Sequence, residues 1–104
     1  MGTRRVGDWG EEAALRYMCH LGYRLVARNY RTPRGEIDLI LRRGGELVFV
    51  EVKLRSGTGF GHPLEAVSER QQNRVRAAAE EWLAENEPTF DTARFDVVGI
   101  IGRE

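Results

Sequence analysis

The chain has 104 residues, 41% apolar and 31% charged, which is the composition of one globular domain with a modest core. Its 16 basic and 16 acidic residues cancel, which argues against a general polyanion binder, and no apolar run approaches the ~20 residues of a membrane span. The N-terminal arginines lead into no apolar signal segment, and the single cysteine, Cys19, excludes an intramolecular disulfide and a cysteine-rich zinc centre. A single domain over residues 1–104, cytoplasmic and without a membrane partner, is expected.

Residues 1–7 read as a loose basic arm. Asp8 is placed to cap a helix from Trp9 to about Leu21, whose apolar stripe is Ala14, Leu15, Met18 and Leu21. Gly22 follows as the expected glycine past the helix end. Glu11 and Glu12 fall in the first turn, where carboxylates favour the positive end of the helix dipole. Tyr23 to Arg31 is rich in strand formers; Tyr23, Leu25 and Ala27 alternate with Arg24 and Arg28. Thr32-Pro33-Arg34-Gly35 is a turn.

The next stretch is the most informative. Residues 35–55 read as two strands joined at Gly44-Gly45, a pair suited to a two-residue hairpin whose central residues need positive φ. With that turn, Val48 faces Leu41, Val50 faces Leu39 and Val52 faces Ile37, giving one wholly apolar face. On the other face Phe49 meets Ile40, Glu51 meets Asp38 and Lys53 meets Glu36. A slip of one residue would exchange the faces and bury the charges, so the register is well specified.

Ser56 to Pro63 contains Gly57, Gly59, Gly61 and a lone His62, and reads as a loop beside the charged face, with no phosphate-cradling glycine motif. Ser68-Glu69-Arg70-Gln71 is a capping box. The helix it opens runs to about Glu85, with Val75, Ala78, Ala79, Trp82 and Leu83 as its buried stripe. Asn86 to Thr92, containing Pro88, is a loop. Arg94 to Ile101 is a last strand, apolar at Phe95, Val97, Val98, Ile100 and Ile101. The order is helix, strand, strand, strand, helix, strand: an α/β fold with a mixed sheet flanked by helices.

Charge is unevenly spread. Residues 1–55 carry a net +4 and residues 56–104 a net −4. Arg24, Arg28, Arg31, Arg34, Arg42, Arg43 and Arg55 cluster in the half that holds the hairpin, where they could form either a phosphate-facing surface or a solvated basic face. Fifteen of the 16 basic residues are arginine; the only lysine is Lys53. An ammonium is a compact point charge that a guanidinium does not replace.

Asp38 and Glu51 would have Cβ atoms roughly 5 Å apart, an arrangement that like charges disfavour. A Mg²⁺ ion, which takes oxygen ligands and commonly uses one or two carboxylates with phosphate, would relieve it. The competing reading is a solvated strand face whose carboxylates are satisfied by Lys53 and nearby arginines.

An aspartate followed on the next strand by Glu-x-Lys resembles the PD-(D/E)xK nucleases, whose restriction-endonuclease-like core has this αβββαβ order. The chain more closely resembles the YraN-like family of small bacterial proteins, in Gly10–Ala14, Ala27–Arg31, Gly35–Ile40, Val48–Arg55 and Arg94–Val98. That resemblance implies a DNA endonuclease, similar to archaeal Holliday-junction resolvases and acting on branched or junction DNA. It implies Asp38, Glu51 and Lys53 as catalytic residues, with Glu11, next to Glu12 on the first helix, as a fourth acidic member. Asp38, Glu51 and the Val52 carbonyl would hold Mg²⁺ or Mn²⁺. Arg24, Arg28, Arg31, Arg34, Arg55 and Gln71 are the candidate DNA contacts, and a homodimer is the implied assembly. Ile37 stands where the superfamily motif has proline, and Arg70 where a lysine is common. A non-catalytic nucleic-acid-binding module on the same scaffold is the alternative.

Overall fold

The computed structural model describes residues 6–56 and 68–102, with the side chains of residues 6–8, 55 and 56 outside that description. Its elements are α1 (Val6–His20), β1 (Arg24–Thr32), β2 (Gly35–Arg43), β3 (Glu46–Ser56), α2 (Glu69–Asn86) and β4 (Thr92–Gly102). The strands form one sheet in the order β1-β2-β3-β4. β1, β2 and β3 are antiparallel to one another in turn, and β4 runs parallel to β3. A mixed sheet with α1 on one face and α2 on the other is the αβββαβ core expected.

α1 begins at Val6, so Asp8 lies inside its first turn rather than at the cap. It ends where expected: Gly22 has φ 97°, its N–H donates to Cys19 O at 3.0 Å, and the Tyr23 N–H donates to Met18 O at 3.1 Å. That pair of bonds closes the last turn only with a left-handed residue, a conformation glycine reaches without a Cβ penalty. Ala14 and Met18 are buried, but Leu21 is exposed, because the chain turns away there.

The β2–β3 hairpin carries the core. Leu39, Ile40, Leu41, Leu47, Val48 and Val50 have no solvent exposure, and each such side chain stabilises by roughly 1.5–3 kcal/mol relative to exposure. Leu39, Leu41, Val48 and Val50 pack with Ala14 and Met18 of α1 and with Tyr23. Ile40, Leu47 and Phe49 pack with Val75, Ala78, Ala79 and Trp82 of α2. The register from Leu39–Val50 to Arg43–Glu46 is the expected one.

Strict alternation fails at two places, one in β1 and one in β2. β1 has a bulge between Leu25 and Ala27, which leaves Leu25 and Val26 exposed and spoils the Tyr23-Leu25-Ala27 face expected from sequence; a bulge adds one unpaired residue and bends the strand. In β2, Ile37 packs with α2's cluster while Leu39 packs with α1's. The alternation therefore breaks at Asp38. Asn29, which falls between the Arg28–Leu39 and Tyr30–Ile37 pairs, has φ 53°. Asparagine is among the few side chains that tolerate this region.

α2 is capped by Ser68, whose Oγ accepts from the Gln71 N–H at 3.1 Å. It rides directly on the start of β2: a Cβ on Gly35 would lie 1.9 Å from the Arg74 carbonyl oxygen. No described helix is long and apolar enough to cross a membrane.

Candidate functional site

β2 and β3 pair only as far as Leu39–Val50. The further rungs expected from sequence, Asp38–Glu51, Ile37–Val52 and Glu36–Lys53, do not form, because β2 distorts at Asp38 while β3 continues along β4 to Ser56. The Asp38 carboxylate fills the fork: its Oδ2 accepts the backbone N–H of Val52 at 2.7 Å. Glu51 lies on the α2 side, where the Gln71 side-chain amide donates to its Oε2 at 3.3 Å. Lys53 Nζ comes to 3.6 Å of the same oxygen, with both side chains only 14% exposed. Lys53 thus partners Glu51 along its own strand, and Glu36 instead meets Arg31 at 3.7 Å.

The two carboxyl groups are hard to ionise. Burial pushes Asp38 up to about 6; the Val52 N–H opposes that rise, while Glu11 and Glu36 add to it. Burial pushes Glu51 up to about 7, the charge on Asp38 raises it further, and Lys53 opposes. Carboxylates held this way are short of positive charge.

Glu11 is drawn into this field from α1, where the buried Gly10 faces Leu54 of β3. Among the described residues its Oε1 is buried without a hydrogen bond, and the Arg28 guanidinium at 3.6 Å stays outside hydrogen-bond reach. Glu12 instead lines a different surface with Leu15, Arg16, Cys19 and Arg28. Of the two neighbours, Glu11 is the one whose charge acts on Asp38.

These donors suit a hard divalent cation: two carboxyl groups held above their ordinary range, with the charge of Asp38 among the causes for Glu51, the oxygens of Glu11, and an adjacent backbone carbonyl at Val52. Among the described residues no three histidine, cysteine or carboxylate side chains close on one point. Protein side chains would therefore fill part of an octahedral shell, leaving positions for water and phosphate.

The candidate DNA contacts divide. Arg24 is exposed on β1. Arg28, Arg31 and Arg34 are engaged with Glu11, Glu36 and Glu81 at 3.6, 3.7 and 3.4 Å. The Arg31 and Arg34 pairs lie at the surface, are worth ~0–1 kcal/mol and open readily, whereas the Glu11 side chain that meets Arg28 is only 13% exposed. Gln71 serves Glu51. The Arg55 side chain, His62 and the glycine-rich loop lie outside the described residues. Arg42 and Arg43 leave the basic cluster for structural work: Arg42 donates to the Gly44 and Thr89 carbonyls, and Arg43 donates to Leu21 O and lies 4.5 Å over the Tyr23 ring.

Sequence reasoning missed two features. Arg94 bonds Asp96, Tyr23 and Glu46, and Glu46 also meets Arg43 at 3.4 Å, so two guanidinium groups balance two carboxylates in a network assembled from residues far apart in the chain. Phe95 and Val97 stay largely exposed beside Glu51; the cue was a last strand apolar on both faces with only one helix left to cover it.

The model of "Uncharacterised protein family UPF0102" matches residues 10–100 of the chain. A UPF0102 protein of Rhodococcus opacus is 47% identical over 96 residues, covering 92% of this chain and 81% of its own length. One from Frankia alni is 48% identical over 93 residues, covering 89% and 78%. One from Dictyoglomus thermophilum is 37% identical over 101 residues, covering 97% and 86%.

Proposed function

The chain belongs to the UPF0102 family, the YraN-like proteins, and from the geometry of its carboxylate–lysine cluster we propose that it is a metal-dependent endonuclease hydrolysing DNA phosphodiester bonds. The observation that carries this reading is the fork between β2 and β3, where Asp38, Glu51 and Lys53 lie within one another's electrostatic reach and both carboxyl groups are held above their ordinary range.

Asp38, Glu51 and the Val52 carbonyl would hold Mg²⁺ or Mn²⁺, with Glu11 adding negative charge from α1. Such an ion supplies Lewis acidity, lowering the pKa of an attacking water and neutralising phosphate charge. The chain's own residues do the positioning. The Val52 N–H fixes one Asp38 oxygen, and the other would bind the ion. The Gln71 amide and the Lys53 ammonium both hold Glu51 Oε2, so Glu51 is oriented before substrate arrives. Lys53, nearly buried, has its ammonium placed to orient the water and to stabilise charge that builds on the phosphoryl oxygens. Water adds to phosphorus, the bond to one sugar oxygen breaks, and that oxygen leaves with a proton. Arg24 and Arg28, with Arg31 and Arg34 once their surface pairs open, would contact flanking phosphates.

The test is a Mn²⁺-dependent cleavage assay over linear, nicked, flapped and four-way DNA. Wild type should cut in Mn²⁺ and not in EDTA, and Lys53→Ala should lose at least about a hundredfold in rate, the scale of losing one electrostatic stabiliser. Equal cleavage by wild type and Lys53→Ala would refute the assignment.

A further inference from the structure

We propose that the exposed strip of β4 beside Glu51 is a stacking subsite for an unpaired nucleobase, with Phe95 as its platform; this rests on the reading of the Asp38–Glu51–Lys53 cluster as a site acting on DNA. In the parallel register Phe95 pairs with Phe49, Val97 with Glu51 and Gly99 with Lys53. Partners in a ladder share a face, so Phe95, Val97 and Gly99 run alongside Glu51 and Lys53, one strand spacing away (about 4.8 Å). α2 packs across β1, β2 and β3 and stops short of β4. Phe95 is therefore 49% exposed and Val97 36%. The Phe95 ring leans on Phe49, with centroids 5.7 Å apart and planes at 32°. That contact fixes its orientation while leaving the ring half open.

The groove between α2 and β4 has apolar walls from Val75, Phe95 and Val97 and a polar rim from Gln71, Gln72 and Arg76, with Glu51 and Asp96 also lining it. Asp96 is already neutralised by Arg94 at 2.9 and 3.1 Å. An apolar aromatic surface next to amides and a guanidinium fits the parts of a nucleotide in turn: the base face on the ring, the base edge on the amides, the phosphate on the arginine. Lipid or a second copy of the chain would seal Glu51 away from substrate. Inside a duplex both faces of a base are covered by its neighbours, so away from a duplex end an unpaired base is the one that can offer a face to Phe95. The strip thus assigns the substrate class: DNA with an unpaired nucleotide next to the scissile phosphate.

The test uses duplex DNA carrying a single-stranded tail with 2-aminopurine near the junction, and the same duplex blunt, bound in Ca²⁺ with DNA integrity checked on gels. Wild type should quench the 2-aminopurine on binding. Phe95→Leu, which keeps an apolar contact to Phe49, should abolish the quench and weaken binding of the tailed DNA by roughly five- to a hundredfold, the range of one base–aromatic stack, with blunt-duplex affinity unchanged. Phe95→Tyr should restore the quench. A quench that persists in Phe95→Leu would overturn the proposal, as would equal weakening on both DNAs, or a Phe95→Leu chain that loses self-association with its quench intact. Binding without Phe95 dependence sinks the subsite alone. Failure to bind either DNA sinks the nuclease reading with it.

Discussion

The Asp38 carboxylate accepts the Val52 backbone N–H at 2.7 Å, just past the last β2–β3 rung at Leu39–Val50. A side chain of one strand thus satisfies a backbone donor of the next, at the point where the strands separate. Removing that acceptor should leave a partly buried N–H unpaired, at a cost of ~1–3 kcal/mol. Asp38→Ala should therefore be less stable than Asp38→Asn in urea titrations without metal, because asparagine keeps an acceptor and drops the charge. Equal stability of the two variants would mean the bond carries no weight.

The pH dependence of the metal-free protein rests on the same pair. Asp38 rises from 3.8 to about 6 and Glu51 from 4.5 to about 7 on folding. The folded state then binds more protons than the unfolded one across that window, so stability falls as pH rises. The contribution is fully present below about pH 4 and lost as pH passes through about 6–7. For Asp38 the loss is on the order of 3 kcal/mol. In EDTA, the melting-temperature advantage of Asp38→Asn over wild type should grow between about pH 5 and about pH 8. An advantage independent of pH would show that Asp38 is not held above its usual range.

Much of the fold was legible in the sequence for identifiable reasons. The Gly44-Gly45 turn and the alternating apolar runs fix the hairpin register, and Ser68, Gly22 and the 3.6-residue stripes fix the helix ends. The fork was not legible. Extending the hairpin past Leu39 assumed continuous alternation, and the change of face between Ile37 and Leu39 breaks it at Asp38. An aspartate does not forbid a regular strand, so no local rule could place the break. That Asp38, Glu51 and Lys53 gather at one end of the hairpin was legible from residue type and spacing, whereas their catalytic role is what the family resemblance implies. Glu11 needed the resemblance to promote it over Glu12, since both look alike in the first turn of a helix. The ion pairs of Arg28, Arg31 and Arg34 depend on how strands and helices pack and could not be read from charge clustering.

Gly35 sets how closely α2 approaches the site. Its missing Cβ leaves room for the Arg74 carbonyl, and Gln71, one turn earlier on α2, holds Glu51. Gly35→Ala should displace the helix and destabilise by at least ~1–3 kcal/mol, the usual cost of overpacking, since a backbone oxygen cannot rotate away. Thermal denaturation measures this directly. A melting temperature equal to wild type would show that α2 shifts freely.

The choice between Glu11 and Glu12 is open to a paired test. Glu11 acts on Asp38 and carries a buried oxygen without a hydrogen bond; Glu12 lines the separate surface with Cys19 and Arg28. Glu11→Gln should raise the Mn²⁺ concentration needed for half-maximal cleavage, and Glu12→Gln should not. The reverse pattern would assign the role to Glu12.

The central claim, that Asp38 and Glu51 hold a divalent cation, is tested most directly by thermal melts of wild type and Asp38→Asn at alkaline pH in Mg²⁺, Mn²⁺ and EDTA. Anything that binds only the folded state stabilises it by mass action, and a hundredfold excess over the dissociation constant adds about 2.7 kcal/mol. The account predicts that about 10 mM metal, an excess for a weak site, raises the wild-type melting temperature, and that Asp38→Asn starts at or above wild type in EDTA and gains little. A wild-type melting temperature indifferent to metal, together with an Asp38→Asn protein less stable than wild type in EDTA, would contradict it and leave Asp38 and Glu51 as carboxylates satisfied by Lys53 and the surrounding backbone.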